Sequence, residues 1–364
     1  MSIGSTFGRL YRGETTTDFV GRRKTWFAVS LVIILLGVVS VGLRGLNLGI
    51  DFKGGTYWEA TFSGAAPSTA TISTAVTNAG LTDPTIFVLG GKTIHVEANT
   101  NSFTGSQLQT VVNKVVAALE KITHTKNVTT NSIGPTWGSQ VTGRALWALL
   151  AFFFAVVIYI SFRFEPKMAL AAFIAMIHDL LVTVGVYSIF NLQVTPDTVI
   201  AILTILGYSL YDTVVVFDRV RDNTHGILKG GNLTYSEMVN LSMNQTLARS
   251  INTSLVAILP VLSVLLVGAE ILGATTLQNY GLALFVGLLS GAYSSIFIAS
   301  PILAWLKERE PRFKDLAIRL GKQTDRVSYS PSQAAALIGS EGVTARSSVK
   351  GGAVTPRGRK QKRR

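Results

Sequence analysis

Three places in or leading into long apolar runs of this chain carry ionisable residues that could move charge. Asp179 lies in Ile177-His178-Asp179. Asp212 lies in Gly207-Tyr208-Ser209-Leu210-Tyr211-Asp212-Thr213, and Arg249 in Asn244-Gln245-Thr246-Leu247-Ala248-Arg249-Ser250. Placing a charge in hydrocarbon costs from about 2.5–3.5 kcal/mol upward, so such residues mark ion or proton pathways by default. Asp179 is about 16 Å along a helix from Met168, close to mid-membrane. Its competing reading is a neutral carboxyl group, hydrogen-bonded for packing alone. Asp212 interrupts an apolar helix, whereas Asp218 and Arg219, just beyond it, read as a boundary where the helix enters water.

Gln245, Arg249 and Thr253 are spaced by four and share one helix face. An Asp212–Arg249 pair across helices would set ionic attraction against desolvation, the balance a proton relay needs. The alternative is an Arg249 that only snorkels to the interface. Gly287-x-x-x-Gly291, with Ser290, Ser294 and Ser295, reads as small-residue helix packing.

Holding such residues in a membrane requires spanning helices of about 20 mostly apolar residues. Six runs qualify: Trp26–Leu43, Ala145–Phe162, Met168–Ile189, Thr198–Phe217, Ile251–Val267 and Tyr280–Trp305. The charged fraction, 15%, lies well below the roughly 25% of soluble domains. Arg9, Arg12, Arg22, Arg23 and Lys24 precede the first run, Arg163 and Lys167 follow the second, and Arg219, Arg221 and Lys229 follow the fourth. Asn191–Asp197 and Ala269–Gln278 carry no Lys or Arg. This asymmetry predicts cytoplasmic termini and an external stretch from Arg44 to Gly143. The first run is too long for a cleaved signal peptide and lacks the small-residue cleavage site, so it reads as an uncleaved anchor.

The external stretch predicts strands at Thr56–Phe62, Thr85–Leu89, Thr93–Glu97 and Asn127–Ile133, and helices at Ser68–Asn78 and Gly105–Thr123. Gly90-Gly91 marks a hairpin. The order β-α-β-β-α-β is ferredoxin-like and implies no activity by itself. His95 and Glu97 share one face of a strand and read as a solvated sheet surface. The organisation expected is therefore a cytoplasmic segment 1–25, a first span 26–43, an extracytoplasmic ferredoxin-like α+β domain 44–143, an α-helical bundle 145–305 and a basic tail 306–364.

There are no cysteines, which excludes disulfides and thiolate chemistry, and the four histidines are scattered. No metal site, cofactor site or enzymatic active site is expected. Net charge is +13, and a large share of it falls after Lys307. From about Lys322 the tail loses apolar periodicity and reads as disordered. Its terminal run, Arg357 to Arg364, is suited to anionic lipid headgroups.

Four segments carry a resemblance to a known family. They are Gly45-Leu46-Asn47-Leu48-Gly49-Ile50-Asp51-Phe52-Lys53-Gly54-Gly55-Thr56, Gly207–Arg221 (GYSLYDTVVVFDRVR), Asn244–Ser254 (NQTLARSINTS) and Gly291–Pro301 (GAYSSIFIASP). In order and spacing they resemble the SecF members of the SecD/SecF family of the bacterial Sec translocase, over roughly Trp26 to Trp305. Asp51, Gly54, Gly55, Gly207, Asp218 and Arg219 belong to these signatures.

The resemblance implies a six-helix member of the resistance-nodulation-division superfamily in the bacterial cell membrane. It would pair with SecD beside the SecYEG channel and SecA, and couple the proton motive force to late stages of preprotein translocation. The family's proton-pathway acid falls on Asp212 and its arginine on Arg249. Asp179 matches a third-helix His-Asp element, and Tyr211 stands where many relatives have Asn. Two other readings are a small-molecule exporter of the same superfamily and a structural assembly subunit that carries no protons.

Overall fold

In the computed structural model of the chain, described residues run from 17 to 321, apart from 63, 65, 66, 90, 91, 231, 232 and 272–274. The Gly90-Gly91 hairpin and the tail beyond residue 321 lie outside them.

Among the described residues, six helices are long and apolar enough to cross a membrane. The first span is α1 (Arg23–Arg44). Then follow β1 (Asn47–Leu48), the short α2 (Ile50–Lys53), β2 (Gly55–Thr61), α3 (Thr69–Asn78), β3 (Thr85–Leu89), β4 (Thr93–Ala98), α4 (Gly105–Thr123) and β5 (Val128–Ile133). The second and third spans are α5 (Pro135–Arg163) and α6 (Pro166–Ile189), with β6 (Gln193–Val194) leading into the fourth, α7 (Pro196–Gly230). The fifth is α8 (Tyr235–Ser263), continued by a π-helical segment, Val264–Ile271. The sixth is α9 (Thr275–Ser294), a π turn at Ser295–Ala299, and α10 (Ser300–Lys307), followed by α11 (Pro311–Gly321).

The α+β region has the predicted β-α-β-β-α-β order. Its four-stranded antiparallel sheet runs β3-β4-β2-β5. Trp58, Ala60, Ile94 and Val96 from the sheet meet Ile72 and Val76 of α3 and Val115 and Leu119 of α4 in one buried core. Alternation along β2 and β4 supplies the sheet face, and the 3.6-residue period of α4 supplies the helix face.

Two features went beyond the sequence reading. The Gly-Gly signature closes α2 and opens β2: Gly54 has φ 78° and Gly55 φ 149°, and a Cβ on Gly55 would stand 2.5 Å from the Ala98 carbonyl oxygen. Only glycine fits there. The second span also begins at Pro135, ten residues before its predicted start at Ala145. Proline is favoured at the first helical position, and Gly138 lets α5 pass the Phe52 backbone, where a Cβ would lie 2.5 Å from the carbonyl oxygen.

The chain divides into two compact units. One comprises residues 1–21, 216–248 and 304–364, and the other 22–215 and 249–303. In the first, Asn240 and Asn244 of α8 hold the backbone of residues 17–20: Asn240 Oδ1 accepts from the Phe19 and Val20 amides at 2.8 and 3.2 Å, and Asn244 Oδ1 from the Thr17 amide at 3.0 Å. The second holds the α+β region and the polar centre of the spans. There β1 pairs in parallel with β6, Asn47 with Gln193 and Leu48 with Val194. Gly37 of α1 meets Gly185 of α6 so closely that a Cβ on Gly37 would lie 2.7 Å from the Gly185 Cα.

Candidate functional site

Burial separates the spans. In their most apolar windows the third and fourth are 44% buried and the sixth 56%, against 11% for the first, second and fifth. Both intramembrane acids sit on the inner helices, Asp179 on α6 and Asp212 on α7, at 1% and 3% exposure.

Asp179 is surrounded by hydroxyls. Ser209 Oγ of α7 donates to Oδ2 at 2.5 Å, Ser294 Oγ of α9 to Oδ2 at 2.7 Å and Ser290 Oγ to Oδ1 at 2.8 Å; His178 Nδ1 lies 3.2 Å from Oδ1. Asp212 accepts from Ser295 Oγ at 2.5 Å through Oδ2. The serines read from sequence as packing residues are thus the hydrogen-bonding shell of the two acids. The packing reading is corrected for Ser290, Ser294 and Ser295 and retained for the glycines. A Cβ on Gly291 would stand 3.0 Å from Ser209 Cβ, and one on Gly287 2.2 Å from Ile205 Cδ1. Close approach of α9 to α7 brings Ser209, Ser290 and Ser294 around one carboxyl group. The π turn then begins at Ser295, the residue that turns to Asp212; such turns recur at functional sites.

Arg249 does not meet Asp212. Its Nη2 donates to the Tyr211 hydroxyl at 3.3 Å, both side chains are exposed, and among the described residues no ion pair joins Arg249 to either acid. Tyr208 Oη donates to the Thr253 carbonyl at 2.6 Å, tying α7 to α8 one turn beyond Arg249. Gln245, expected to share the Arg249 face, instead accepts from Arg219 Nε at 2.7 Å and Asn223 Nδ2 at 3.0 Å. Asp218 is half-buried. Gly207 has open space where a Cβ would stand, so its place in the signature has no packing account.

A second polar cluster was missed. His95 is 6% exposed, which corrects the solvated-surface reading. Its Nδ1 lies 3.0 Å from Glu59 and its Nε2 2.8 Å from Glu97, and Tyr57 stacks on the ring at 5.3 Å. Gln193 Nε2 of β6 donates to the other Glu97 oxygen, linking the sheet to the turn between the third and fourth spans. A cavity of about 800 Å³ opens there, reached by Asp51, Glu59, Tyr187, Asp197 and Asn279. Burial works against protonation of His95, but hydrogen bonds and charge from Glu97 and then Glu59 outweigh it, and its pKa is raised. Asp51 is also raised, by burial first and then by Glu97 and Asp197. Sequence could have flagged Glu59, since it is an acid on the same strand as the apolar core residues Trp58 and Ala60. The cross-strand register that places it opposite His95 could not be read in advance.

Together these features define a multi-pass membrane protein with a polar centre buried among its inner spans. The family profile "Protein export membrane protein SecD/SecF, C-terminal" matches residues 111–309, and the "SecD/SecF GG Motif" matches residues 39–66. Protein translocase subunit SecF of Streptomyces coelicolor is 43% identical over 320 residues, 87% of this chain and 84% of the relative. SecF of Rhodothermus marinus is 37% identical over 82% of this chain and 96% of its own length. The crystal structure of SecDF from Thermus thermophilus superposes with a TM-score of 0.69 at 28% identity, over 82% of this chain and 39% of that one. This chain therefore matches well under half the length of the SecDF polypeptide. The chain belongs to the SecD/SecF family of protein-export membrane proteins.

Proposed function

We propose that this chain is a SecF-type accessory subunit of the Sec translocase, working with SecD to couple the proton motive force to late preprotein translocation. The observation that carries this reading is the pair of buried acids on adjacent inner spans, each held by serine hydroxyls. A hydroxyl donates one proton and accepts at two lone pairs, so it can hand a proton across as well as hold a carboxylate. Asp212, with a single donor among the described residues, is the exchanging acid. Asp179 and its serines form a second polar centre, and Arg249 supplies positive charge to the exposed face of α7 and α8. The membrane potential would contribute about 2.3 kcal/mol per charge per 100 mV.

The match to a Bacillus subtilis SecDF chain, 37% identical and 38% covered, supports SecD as the partner. The Lys and Arg distribution supports cytoplasmic termini, with the α+β domain outside, where it would engage the emerging preprotein beside SecYEG and SecA. The basic tail would bind anionic lipids; deleting residues 328–364 should leave insertion and export largely intact. No enzymatic chemistry is proposed.

The test is proton flux in proteoliposomes holding the full chain with SecD. Asp212→Asn should insert normally and abolish both flux and support of export. Wild-type flux in that variant would favour a structural assembly subunit.

A further inference from the structure

We propose that His178 is a second proton-binding group of the spans, and that Asp179 is the positioning residue that orients it rather than a proton carrier in its own right. The inference deepens the proton-pathway reading and rests on it.

An ionised carboxylate has room for about four hydrogen-bond donors. Three hydroxyls fill three of those places on Asp179, Ser290 on Oδ1 and Ser209 and Ser294 on Oδ2, at 2.5–2.8 Å, and His178 Nδ1 faces the fourth, 3.2 Å from Oδ1. Asp212 has one. A carboxylate filled in this way is a fixed acceptor. Because it can only accept, the His178 nitrogen that faces it, Nδ1, carries the hydrogen. The neutral ring then has its lone pair on Nε2. Nε2 is buried and has no hydrogen-bond partner among the described residues, in a side chain 7% exposed. An unmet buried nitrogen is costly, and such a group calls for a functional account. The arrangement repeats the logic of a carboxylate that holds a histidine in one tautomer and stabilises its imidazolium.

The surroundings fit that role. His178 stacks on Tyr293 with ring centroids 6.0 Å apart and 28° between planes. The Tyr293 hydroxyl is engaged elsewhere, donating to the Trp26 carbonyl at 3.1 Å and accepting from Ser30 Oγ at 3.2 Å. Among the described residues, the titratable groups in contact with His178 are Asp179 on its own helix and Tyr293 from α9; the neutral Trp26 and Ser30 of α1 meet the Tyr293 hydroxyl, and Ser209 of α7 meets Asp179. Proton uptake forms one N–H bond at Nε2 and leaves the carboxylate bonds unchanged. Release reverses it.

The test uses the full chain in lipid nanodiscs with 15N-labelled histidine. There are four histidines, so His178→Gln assigns the signal by loss. If that variant does not fold, replacing His95, His124 and His225 leaves His178 alone. The expected spectrum shows a ring protonated on Nδ1 alone at the alkaline end of a pH series and doubly protonated at its acid end, with the tautomer preference lost in Asp179→Asn. A ring protonated on Nε2, or one that does not change between about pH 9 and 5, overturns the proposal. In proteoliposomes with SecD, His178→Gln should lower proton flux about a hundredfold and change its pH profile. Unchanged flux and profile in that variant overturn the relay role. Flux surviving Asp212→Asn while His178 titrates as expected sinks the pathway reading and leaves His178 as a proton site.

Discussion

Ser295 Oγ donates to Asp212 Oδ2 at 2.5 Å, and Ser295 is the first residue of the π turn in the sixth span. The adjacent Ser294 bonds to Asp179 at 2.7 Å. Two consecutive serines therefore serve two acids on two different helices.

Ser295→Ala removes the hydroxyl that donates to Asp212. Loss of a partner from a buried group costs about 1–3 kcal/mol, and more where the group is charged. The variant should insert, unfold at a lower temperature in detergent and show a reduced proton flux. An unchanged melting curve together with unchanged flux would show that the bond carries nothing.

Arg249→Lys should retain partial export and Arg249→Ala very little, since lysine keeps the charge but loses the planar fork of donors. Tyr211→Phe removes only the 3.3 Å bond to Arg249 and should have a small effect, within about 0.5 kcal/mol. Comparable, near-normal export in the two arginine variants would reduce Arg249 to a snorkelling residue.

Gly55→Ala should be severely destabilising. It combines a positive φ with a Cβ placed 2.5 Å from a backbone oxygen, and the cost should exceed about 1 kcal/mol. Gly207→Ala, in open space, should be neutral or mildly stabilising, since alanine favours helix by about 0.8–1.0 kcal/mol over glycine. Thermal melts of the two variants check both; the reverse ranking would contradict the packing account of the Gly-Gly signature.

The His95 cluster makes stability depend on pH. A histidine whose folded pKa is raised adds stability that is full below its unfolded value of about 6.5 and is lost as pH rises through the higher folded value. The α+β region should therefore be more protected from hydrogen exchange at pH 6 than at pH 9, after correction for intrinsic rates. His95→Gln should flatten the difference. Asp51, also raised, acts in the same direction at lower pH. Protection that grows between pH 6 and 9 would reverse the sign and refute the assignment.

By itself the sequence determined what is local or periodic. Runs of apolar residues set six spans, because a helix in lipid must satisfy its own backbone. Alternating and 3.6-residue patterns set the order of strands and helices in the α+β region. Asp179 and Asp212 stood out because a charge in an apolar run is costly wherever the helix packs, and Arg249 because it stands just ahead of one.

What only the tertiary structure decided is which side chains meet. Serine looks the same whether it packs a helix or serves an acid. Ser209, Ser290 and Ser294 became ligands of Asp179 because Gly291 lets α9 come close to α7, and Ser295 reached Asp212 at a π turn that no residue pattern announced. Arg249 found Tyr211 rather than Asp212, and His95 found Glu59 through strand register. Each outcome rests on distances of a few ångströms between segments far apart in the chain, fixed by packing and not by spacing along it.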